Sequence, residues 1–440
     1  MAAAPADISA PVANGLDARR AVLSVLETVL DKRQPLEIAL GMEETWQELP
    51  AQDRAFGRLL LLTIFRRLPE IDKLYGQFLD RPLPKHPRRL THLLRLGTAQ
   101  LVFLKTPPHA AVDTSVALAG ELRNQKFKGL VNALLRKLVN TESPTRTDET
   151  ARLNTPDWLW KSWCAAYGEE NASQISTLHL EEPPLDLSVK SEPDRWAEEL
   201  GGEILPSGSL RKKTGGNPAE WPGFEEGAWW VQDAAAALPV KLLGDFSGLT
   251  AIDLCAAPGG KTAQLANGGA KVTAVDISEK RLARLRSNMA RLGLAVETVA
   301  ADLRDWRPQI KADLVVLDAP CTATGTCRRH PDILRLREAV DVAKLAAVQR
   351  SLLAAAQEMV GESGTLLYIT CSLQPEEGPD QIADFLNSYS GFEQRPFGNL
   401  SKLGLEGSAN SNGSLRTLPS HFSEFGGMDG FFAVALERVS

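Results

Sequence analysis

The most constraining feature of this sequence is an alternation of apolar runs and helical patterns that starts at Leu249. The first apolar run leads into Asp253–Thr262, which reads Asp-Leu-Cys-Ala-Ala-Pro-Gly-Gly-Lys-Thr. Such a run predicts a buried parallel strand. Gly259 and Gly260 then allow a tight turn, because they carry no Cβ. A helical pattern follows, so the region predicts an α/β fold with a doubly wound sheet and a site at the carboxyl ends of its strands.

Two known nucleotide-binding loops also place a glycine turn before a helix, and this sequence matches neither. A P-loop needs a glycine five residues before the glycine of its Gly-Lys pair, and that position holds Cys255. A dinucleotide fingerprint needs G-x-G-x-x-G, whereas the chain reads Pro-Gly-Gly-Lys. A plain structural turn stays possible from this stretch alone.

Further apolar strands follow, and the first four of them carry polar side chains at or near their carboxyl ends. They are predicted at Lys271–Asp276, Val296–Asp302, Ala312–Pro320, Gly364–Leu373 and Gly430–Val439. Asp276 lies 17 residues after Gly259, where a carboxylate can accept hydrogen bonds from ribose hydroxyls. Asp302 could accept an adenine amino hydrogen. A single Asp at such a place is commonly a turn or capping residue, but several polar strand ends at one rim favour a binding site.

Two cysteines, Cys321 and Cys371, also follow strands at this rim. A lone buried cysteine is usually a small apolar packing residue. In turns beside helix N-termini, however, the pKa of a thiol can be lowered. A thiolate that attacks C6 of cytosine makes C5 nucleophilic toward a methyl donor. One cysteine could therefore be the nucleophile, and the second could assist release.

Composition limits the classes of protein to which this chain can belong. The chain has 440 residues, enough for two or three domains, and no apolar run approaches the ~20 residues that cross a bilayer. Its cysteines include no Cys-x-x-Cys pair, so we expect no metal site and free thiols in the cytoplasm. The five cysteines are Cys164, Cys255, Cys321, Cys327 and Cys371.

The front of the chain differs from the rest in pattern and charge. Residues 17–142 show only helical periodicity, after a tail at 1–16 that we expect to be flexible, and 150–245 predict a small α+β segment before the domain at 246–440. Although the net charge is −6, residues 17–140 hold 20 Lys and Arg against 13 Asp and Glu. Lys126, Lys128 and Arg136 lie around apolar positions of one predicted helix. A basic face of this kind is often simply solvated, but it also suits RNA or a protein partner.

In these stretches, the sequence resembles the bacterial Sun/Fmu/RsmB family of RNA cytosine-5 methyltransferases, in the wider Nol/Nop/Sun group. The helical front resembles a NusB-like RNA-binding domain, notably at Val131–Arg136. The resemblance implies a Rossmann-like methyltransferase sheet behind that domain. The stretches that carry it are 254–262, 318–333, 368–372 with Pro375-Glu-Glu377, and 429–432.

The resemblance also implies roles for individual residues. The nucleophile would be Cys371, in Thr-Cys-Ser, and Cys321, in Pro-Cys, would free the product. A DNA cytosine methyltransferase would instead use the Pro-Cys cysteine and lack the other, so the pair favours RNA. Lys261 could reach the cytosine or cap its own loop, and Cys327 would be a bystander. S-adenosylmethionine would be bound by Cys255, Ala256, Ala257, Pro258, Gly259, Gly260, Lys261, Asp276, Asp302 and Asp318, and RNA by Arg328, Arg329, His330, Lys126, Lys128 and Arg136.

The function that the resemblance implies is methylation of C5 of a cytosine in 16S rRNA by a monomeric cytoplasmic enzyme, without membrane or metal. The target base would flip out of its stack to reach the pocket. The same chemistry on tRNA or at another rRNA site stays open. A third hypothesis is a non-catalytic RNA-binding assembly factor with a vestigial cofactor fold. The intact thiol pair and the three acids argue against it.

Overall fold

The computed structural model describes residues 15–122, 126–213, 216–398, 400–405, 408 and 413–439. Most of the expected tail, residues 1–14, therefore lies outside the described part. The chain divides into two compact units. We name them the helical unit, Met1–Pro156 with His330–Leu336, and the sheet unit, Asp157–Arg329 with Arg337–Ser440. In the described residues, no helix is both long enough and apolar enough to span a membrane.

Within the described residues, the first part of the chain contributes nine α-helices and a π-helical segment, Ala99–Phe103, to the helical unit. In the first of them, buried side chains recur at three- and four-residue spacing, from Ala18 through Val22 and Val25 to Val29. This spacing places one apolar stripe toward the common core, as the sequence predicts. The helices are α1 Leu16–Leu30, α2 Leu36–Met42, α3 Glu44–Glu48, α4 Ala51–Arg66, α5 Leu68–Gly76, α6 Arg88–Thr98, α7 Pro108–Gly120, α8 Lys126–Leu138 and α9 Asp148–Asn154.

The sheet unit begins with two helices and a small antiparallel sheet of order β2-β3-β1-β4. Inside it, Arg211 donates Nε and Nη2 to the two carboxylate oxygens of Asp186, at 2.6 and 2.7 Å. Both side chains are fully buried, so the pair joins two strands in the core. The elements are α10 Asp157–Tyr167, α11 Glu169–Leu178, β1 Leu185–Val189, α12 Pro193–Leu200, β2 Glu203–Ile204, β3 Leu210–Lys212, β4 Trp229–Val231 and α13 Ala234–Lys241.

The large sheet has the order β10-β12-β9-β8-β5-β6-β7, and β11 pairs with β12. Its strands from β9 to β7 are parallel, whereas β12 is antiparallel to β9 and β10. The chain order reverses between β5 and β8, which is where doubly wound sheets open a crevice for ligands. The elements are β5 Thr250–Leu254, α14 Gly260–Asn267, β6 Lys271–Asp276, α15 Glu279–Leu292, β7 Glu297–Ala300, β8 Ala312–Asp318, α16 Ile333–Leu336, α17 Ala339–Ala356, β9 Val360–Thr370, α18 Pro379–Ser388, β10 Phe392–Arg395, β11 Leu415–Arg416 and β12 Phe432–Arg438.

The fold class predicted from the sequence is confirmed, and β6 has the predicted bounds. Strand β9 begins at Val360 instead of Gly364 and runs for 11 residues. The two short strands β10 and β11 were not predicted. They lack a long apolar run, and their place in the sheet comes from pairing with β12.

The segment His330–Leu336 packs within the helical unit, although the sequence-based division assigned it to the domain at 246–440. Asp332 Oδ2 accepts a hydrogen bond from the Leu36 backbone N–H at 3.0 Å. Arg335 donates to the carbonyl oxygens of Phe65 and Asn154, each at 2.9 Å. These polar contacts satisfy backbone groups of helices that are distant in sequence, which local periodicity cannot reveal.

Candidate active site

A cavity of 390 Å³ opens in the sheet unit at the carboxyl ends of β5, β6 and β8. Its size is within the range of small-molecule sites. Side chains from separate strand ends meet there, as expected from the sequence. Seven of the predicted site residues line it: Cys255, Ala257, Asp276, Asp302, Asp318, Cys321 and Cys371.

The loop after β5 is held in shape by backbone contacts and by one carboxylate. Gly259 has φ +105° immediately before α14, a conformation that favours glycine. Asp276 Oδ2 accepts the Ala257 N–H at 3.2 Å, and its Oδ1 accepts the Ser278 N–H at 2.9 Å. Asp276 therefore joins the first two strand ends. Ala256, Pro258, Gly259 and Gly260 shape the loop without lining the cavity.

Asp302, at the next strand end, forms an ion pair with Arg304. The Arg304 Nε donates to both carboxylate oxygens, at 2.9 and 3.1 Å. These hydrogen bonds lower the pKa of Asp302 to about 2, so the carboxylate stays ionised. Arg304 also lines the cavity and was missed in the sequence, where nothing distinguishes it from other surface arginines.

Apolar side chains between these acids also line the cavity, notably Ile277 and Leu303. Ile277 directly follows Asp276 and is 69% exposed, so its side chain is accessible to a ligand in the cavity. The apolar lining suits a flat ring, while the acids suit hydroxyl or amino groups. An apolar residue directly after a strand-end acid is the signal that could have identified it.

Lys261 is outside the cavity lining, and it reaches the site through an ion pair. Its Nζ lies 2.7 Å from Asp318 Oδ2 and 5.5 Å from the centre of the Phe431 ring. Burial alone would lower the pKa of Lys261, but the attraction of Asp318 outweighs it and the pKa is raised. Lys261 therefore stays charged and holds the carboxylate of Asp318 in place.

The sulfur atoms of Cys321 and Cys371 lie 3.4 Å apart in this cavity. The hydrogen bond to Cys371, together with burial, raises the pKa of Cys321 well above its ordinary value. For Cys321 the expectation of a lowered thiol pKa is therefore wrong, because burial and the second sulfur dominate. Electrostatic attraction to Cys371 also contributes, after Asp318 and Asp253, to the raised pKa of Lys261.

The three other cysteines differ from this pair. Burial, followed by the charges of Asp318 and Asp276, raises the pKa of the Cys255 thiol to about 12. Cys255 therefore lines the cavity as a neutral thiol. Cys327 is fully buried, and Cys164 is partly exposed on α10. Across the described ranges, His, Cys, Asp and Glu form no group of three or more that could hold a metal ion.

Arg328 and Arg329 have structural surroundings that differ from the RNA contacts expected of them. Arg328 is fully buried and donates to the Gly426 carbonyl. Arg329 forms ion pairs with Asp233 and Asp429. A phosphate contact needs an exposed guanidinium, so we replace the expected RNA role of these two arginines with a packing role. The acids that pair with Arg329 come from distant parts of the sequence, and for this reason the sequence did not reveal them.

The remaining predicted RNA contacts lie in the helical unit. Lys126, Lys128 and Arg136 are exposed on α8, whose apolar side chains Val131 and Leu135 are buried. The helix is thus amphipathic with a basic outer face, as the sequence indicates. His330 is half-buried. Contact of these four residues with RNA stays a prediction.

A buried carboxyl on β5 makes stability depend on pH. Asp253 is fully buried and accepts a hydrogen bond from Thr262 Oγ1 at 2.5 Å. Burial raises the pKa of Asp253 to about 7, above the value of about 4 in an unfolded chain. A raised carboxyl pKa stabilises the fold fully below about pH 4, and this contribution is lost as the pH rises through about 7.

We therefore expect Asp253→Asn, which mimics the neutral carboxyl, to lose less stability than the wild type between about pH 5 and about pH 8. Thermal unfolding of both proteins over this range measures the difference. The exposed Asp305→Asn is the control and should follow the wild type. Parallel curves for Asp253→Asn and wild type would contradict the assignment.

Comparison with known proteins shows the family to which this chain belongs. Residues 242–437 match the family described as 16S rRNA methyltransferase RsmB/F, and residues 16–140 match the NusB family. The ribosomal RNA small subunit methyltransferase B of Sodalis glossinidius is 38% identical over 376 residues, which cover 81% of this chain and 86% of that protein. The Vibrio cholerae protein of the same name is 32% identical over 442 residues, which cover 96% of this chain and 98% of that protein.

Among solved structures, the crystal structure of PH0851 is similar to the whole chain. Its TM-score is 0.75 at 25% sequence identity, and the match covers 98% of this chain and 100% of that one. The likeness extends over both the helical and the sheet elements. The sequence-based identification of the family is thus confirmed by the family matches and the curated relatives.

Proposed function

Because the chain belongs to the RsmB family of ribosomal RNA small subunit methyltransferases, we propose that it methylates C5 of one cytosine in 16S rRNA, with S-adenosylmethionine as donor. The observation that carries the proposal is the pair of sulfur atoms, 3.4 Å apart in one cavity. Attack on C6 of cytosine needs one sulfur nucleophile. The second thiol, at hydrogen-bonding distance, suits the release step.

The residues that line the cavity fit S-adenosylmethionine. Carboxylates at successive strand ends, Asp276 and Asp302, suit the hydroxyl groups of a ribose and the amino group of a purine. Ile277 and Leu303 offer an apolar surface for the ring. Asp318, paired with Lys261, lines the same cavity as the two cysteines. When bound, the cofactor supplies an electrophilic methyl group on a sulfonium.

Cys371 is the nucleophile in this proposal. Its thiol would lose its proton to solvent as the sulfur bonds to C6 and the electrons of the C5=C6 double bond move to C5. C5 would then take the methyl group, whose bond to the sulfonium sulfur breaks and leaves a neutral thioether. Loss of the C5 proton to solvent re-forms the double bond and expels Cys371 as a thiolate. The raised pKa of Cys321 keeps that thiol protonated, which supports the choice of Cys371 between the two thiols.

Cys321 would assist the last step. Its raised pKa keeps it protonated at neutral pH, so its S–H can donate a hydrogen bond to the Cys371 thiolate as the bond to C6 breaks. A donor placed where charge develops lowers the barrier to that step. The protonated state of Cys321, 3.4 Å from the Cys371 sulfur, thus favours the releasing role for Cys321.

The RNA would be bound in part by the basic face of α8, through Lys126, Lys128 and Arg136. Such phosphate contacts carry affinity and little sequence information. They do not distinguish 16S rRNA from tRNA, which is the second candidate substrate. The family relatives, named for the small ribosomal subunit, favour 16S rRNA.

Bisulfite sequencing tests the substrate directly. Total RNA is compared from a deletion strain, from that strain with the wild-type gene restored, and from that strain with Cys371→Ala restored. We expect one protected cytosine in 16S rRNA that returns with wild type alone. Protection that maps to tRNA or to 23S rRNA would instead establish the alternative substrate. No wild-type-dependent protection in any RNA would reject the proposal, and failure to bind S-adenosylmethionine in calorimetry would favour the non-catalytic assembly factor.

A further inference from the structure

Glu377 is a fully buried carboxylate that contacts the residue after each of the two site cysteines. Its Oε1 accepts the Thr322 backbone N–H at 2.9 Å. Its Oε2 accepts the Ser372 hydroxyl at 2.6 Å and also the Thr322 hydroxyl. Thr322 directly follows Cys321, and Ser372 directly follows Cys371. One side chain therefore connects the two turns that carry the sulfur atoms.

A further donor completes the surroundings of this carboxylate. Gln349 on α17 donates Nε2 to Glu377 Oε1 at 2.9 Å and to the Pro320 carbonyl at 3.0 Å. Tyr368 on β9 fixes that amide, since its hydroxyl lies 3.2 Å from Gln349 Oε1. The carboxylate thus accepts four hydrogen bonds, which is about the full capacity of its two oxygens. A buried carboxylate is stabilised when its accepting positions are filled in this way.

The side chain of Glu377 contacts Thr322 and Ser372 in the two turns and Gln349 on α17. It is outside the cavity lining, so it does not reach the cofactor or the base. Glu377 lies at the end of a 3₁₀ turn, Pro375–Glu377, which follows the turn that carries Cys371. The turn that carries Cys371 is held by two further hydrogen bonds. Tyr167 donates to the Leu373 carbonyl oxygen and Arg416 to the Ser372 carbonyl oxygen, each at 2.5 Å.

From this arrangement we propose that Glu377 is a positioning residue, which sets the separation of the Cys321 and Cys371 sulfur atoms that methyl transfer needs. The proposal rests on the proposed function for its catalytic consequence. Its geometric part stands by itself. Without the carboxylate, the two turns lose the contacts that tie both of them to Glu377 and Gln349. They keep only their direct hydrogen bonds, such as the Gly325 N–H to the Cys371 carbonyl at 2.9 Å. A sulfur displaced by about 1 Å costs up to about 100-fold in rate.

Two substitutions separate positioning from folding. Glu377→Gln keeps the volume, and its Oε1 can still accept the N–H groups of Thr322 and Gln349. Its amide nitrogen then faces the hydroxyls of Thr322 and Ser372, which can reverse and accept. This variant should fold, with weaker links between the turns. Glu377→Ala removes every link made through this side chain and leaves the direct hydrogen bonds between the turns, such as that of Thr324 and Ser372. The matched control is Glu376→Gln, which makes the same charge change at the exposed neighbouring position.

The first measurement reports the distance between the sulfurs without any RNA. Diamide oxidises a pair of nearby thiols to a disulfide and is itself reduced to a hydrazine, taking up both thiol protons. The rate of formation of the Cys321–Cys371 disulfide is followed by peptide mass spectrometry. We expect Glu377→Gln to slow it about tenfold and Glu377→Ala about 100-fold, whereas Glu376→Gln keeps the wild-type rate.

The second measurement is methyl transfer by the same proteins. We expect kcat to fall in the same order, with the KM for S-adenosylmethionine within about twofold of wild type, because only a step after binding is affected. For folded Glu377→Gln, a wild-type rate of disulfide formation or a wild-type kcat overturns the proposal. A wild-type enzyme without activity would reject the proposed function instead, and the disulfide rates would still decide the geometric part.

Discussion

Cys371→Ala is expected to reduce methyl transfer by at least about 10⁴-fold and to abolish any covalent complex with RNA. The substitution removes the sulfur that we place on C6, and without that bond C5 is too weak a nucleophile to accept the methyl group. Cys321 lies 3.4 Å away, but its raised pKa keeps it protonated and prevents it from substituting. Transfer of labelled methyl groups to unmodified 16S rRNA measures the loss.

The control for this variant is Cys164→Ala, which removes a partly exposed thiol that is outside the cavity lining. It should keep wild-type turnover. Cys371→Ala should also bind S-adenosylmethionine with wild-type affinity in calorimetry, since the acids and the apolar lining are unchanged. Retained turnover by folded Cys371→Ala would show that another group is the nucleophile.

Cys321→Ala should accumulate the covalent complex with RNA that Cys371→Ala cannot form. In this variant Cys371 can still attack C6, but the departing thiolate lacks the hydrogen bond that Cys321 provides across 3.4 Å. Release therefore becomes the slow step. We expect turnover to fall by about 100-fold or more, as for the loss of a donor at a developing anion. A protein band shifted by RNA should survive denaturing electrophoresis.

The double variant Cys321→Ala, Cys371→Ala provides the control for that band. It should form no complex that survives denaturation, because the nucleophile is absent. A shifted band of equal intensity in the double variant would mean that the complex does not depend on Cys371. Fast turnover by Cys321→Ala would show that release needs no second thiol.

Much of the site was predictable because it depends on local patterns. Apolar runs predicted the strands, and their ends predicted Asp276, Asp318, Cys321 and Cys371, all of which line the cavity. In a parallel sheet, carboxyl ends share one edge, so strand-end residues are brought together by topology. The position of a residue at the end of a predicted strand was therefore sufficient to place it at the cavity.

Contacts between distant segments were not predictable in this way. Arg329 looked like a surface cation until the structure placed it against Asp233 and Asp429. Glu377 belonged to a short motif whose role could not be derived, because its partners come from other elements. The pKa of Cys321 depends likewise on burial and on Cys371. Each of these properties depends on tertiary packing, which leaves little trace in the spacing of residues.

The most direct test of the account is to identify the residue that carries RNA in the complex trapped by Cys321→Ala. The complex is isolated under denaturing conditions, digested with protease and nuclease, and sequenced by mass spectrometry. We predict a single nucleotide-bearing peptide, with the nucleotide on Cys371 and with the mass of a methylated cytidine. A nucleotide on any other residue would contradict the proposed covalent route, as would the absence of a covalent peptide from a folded variant that binds both substrates.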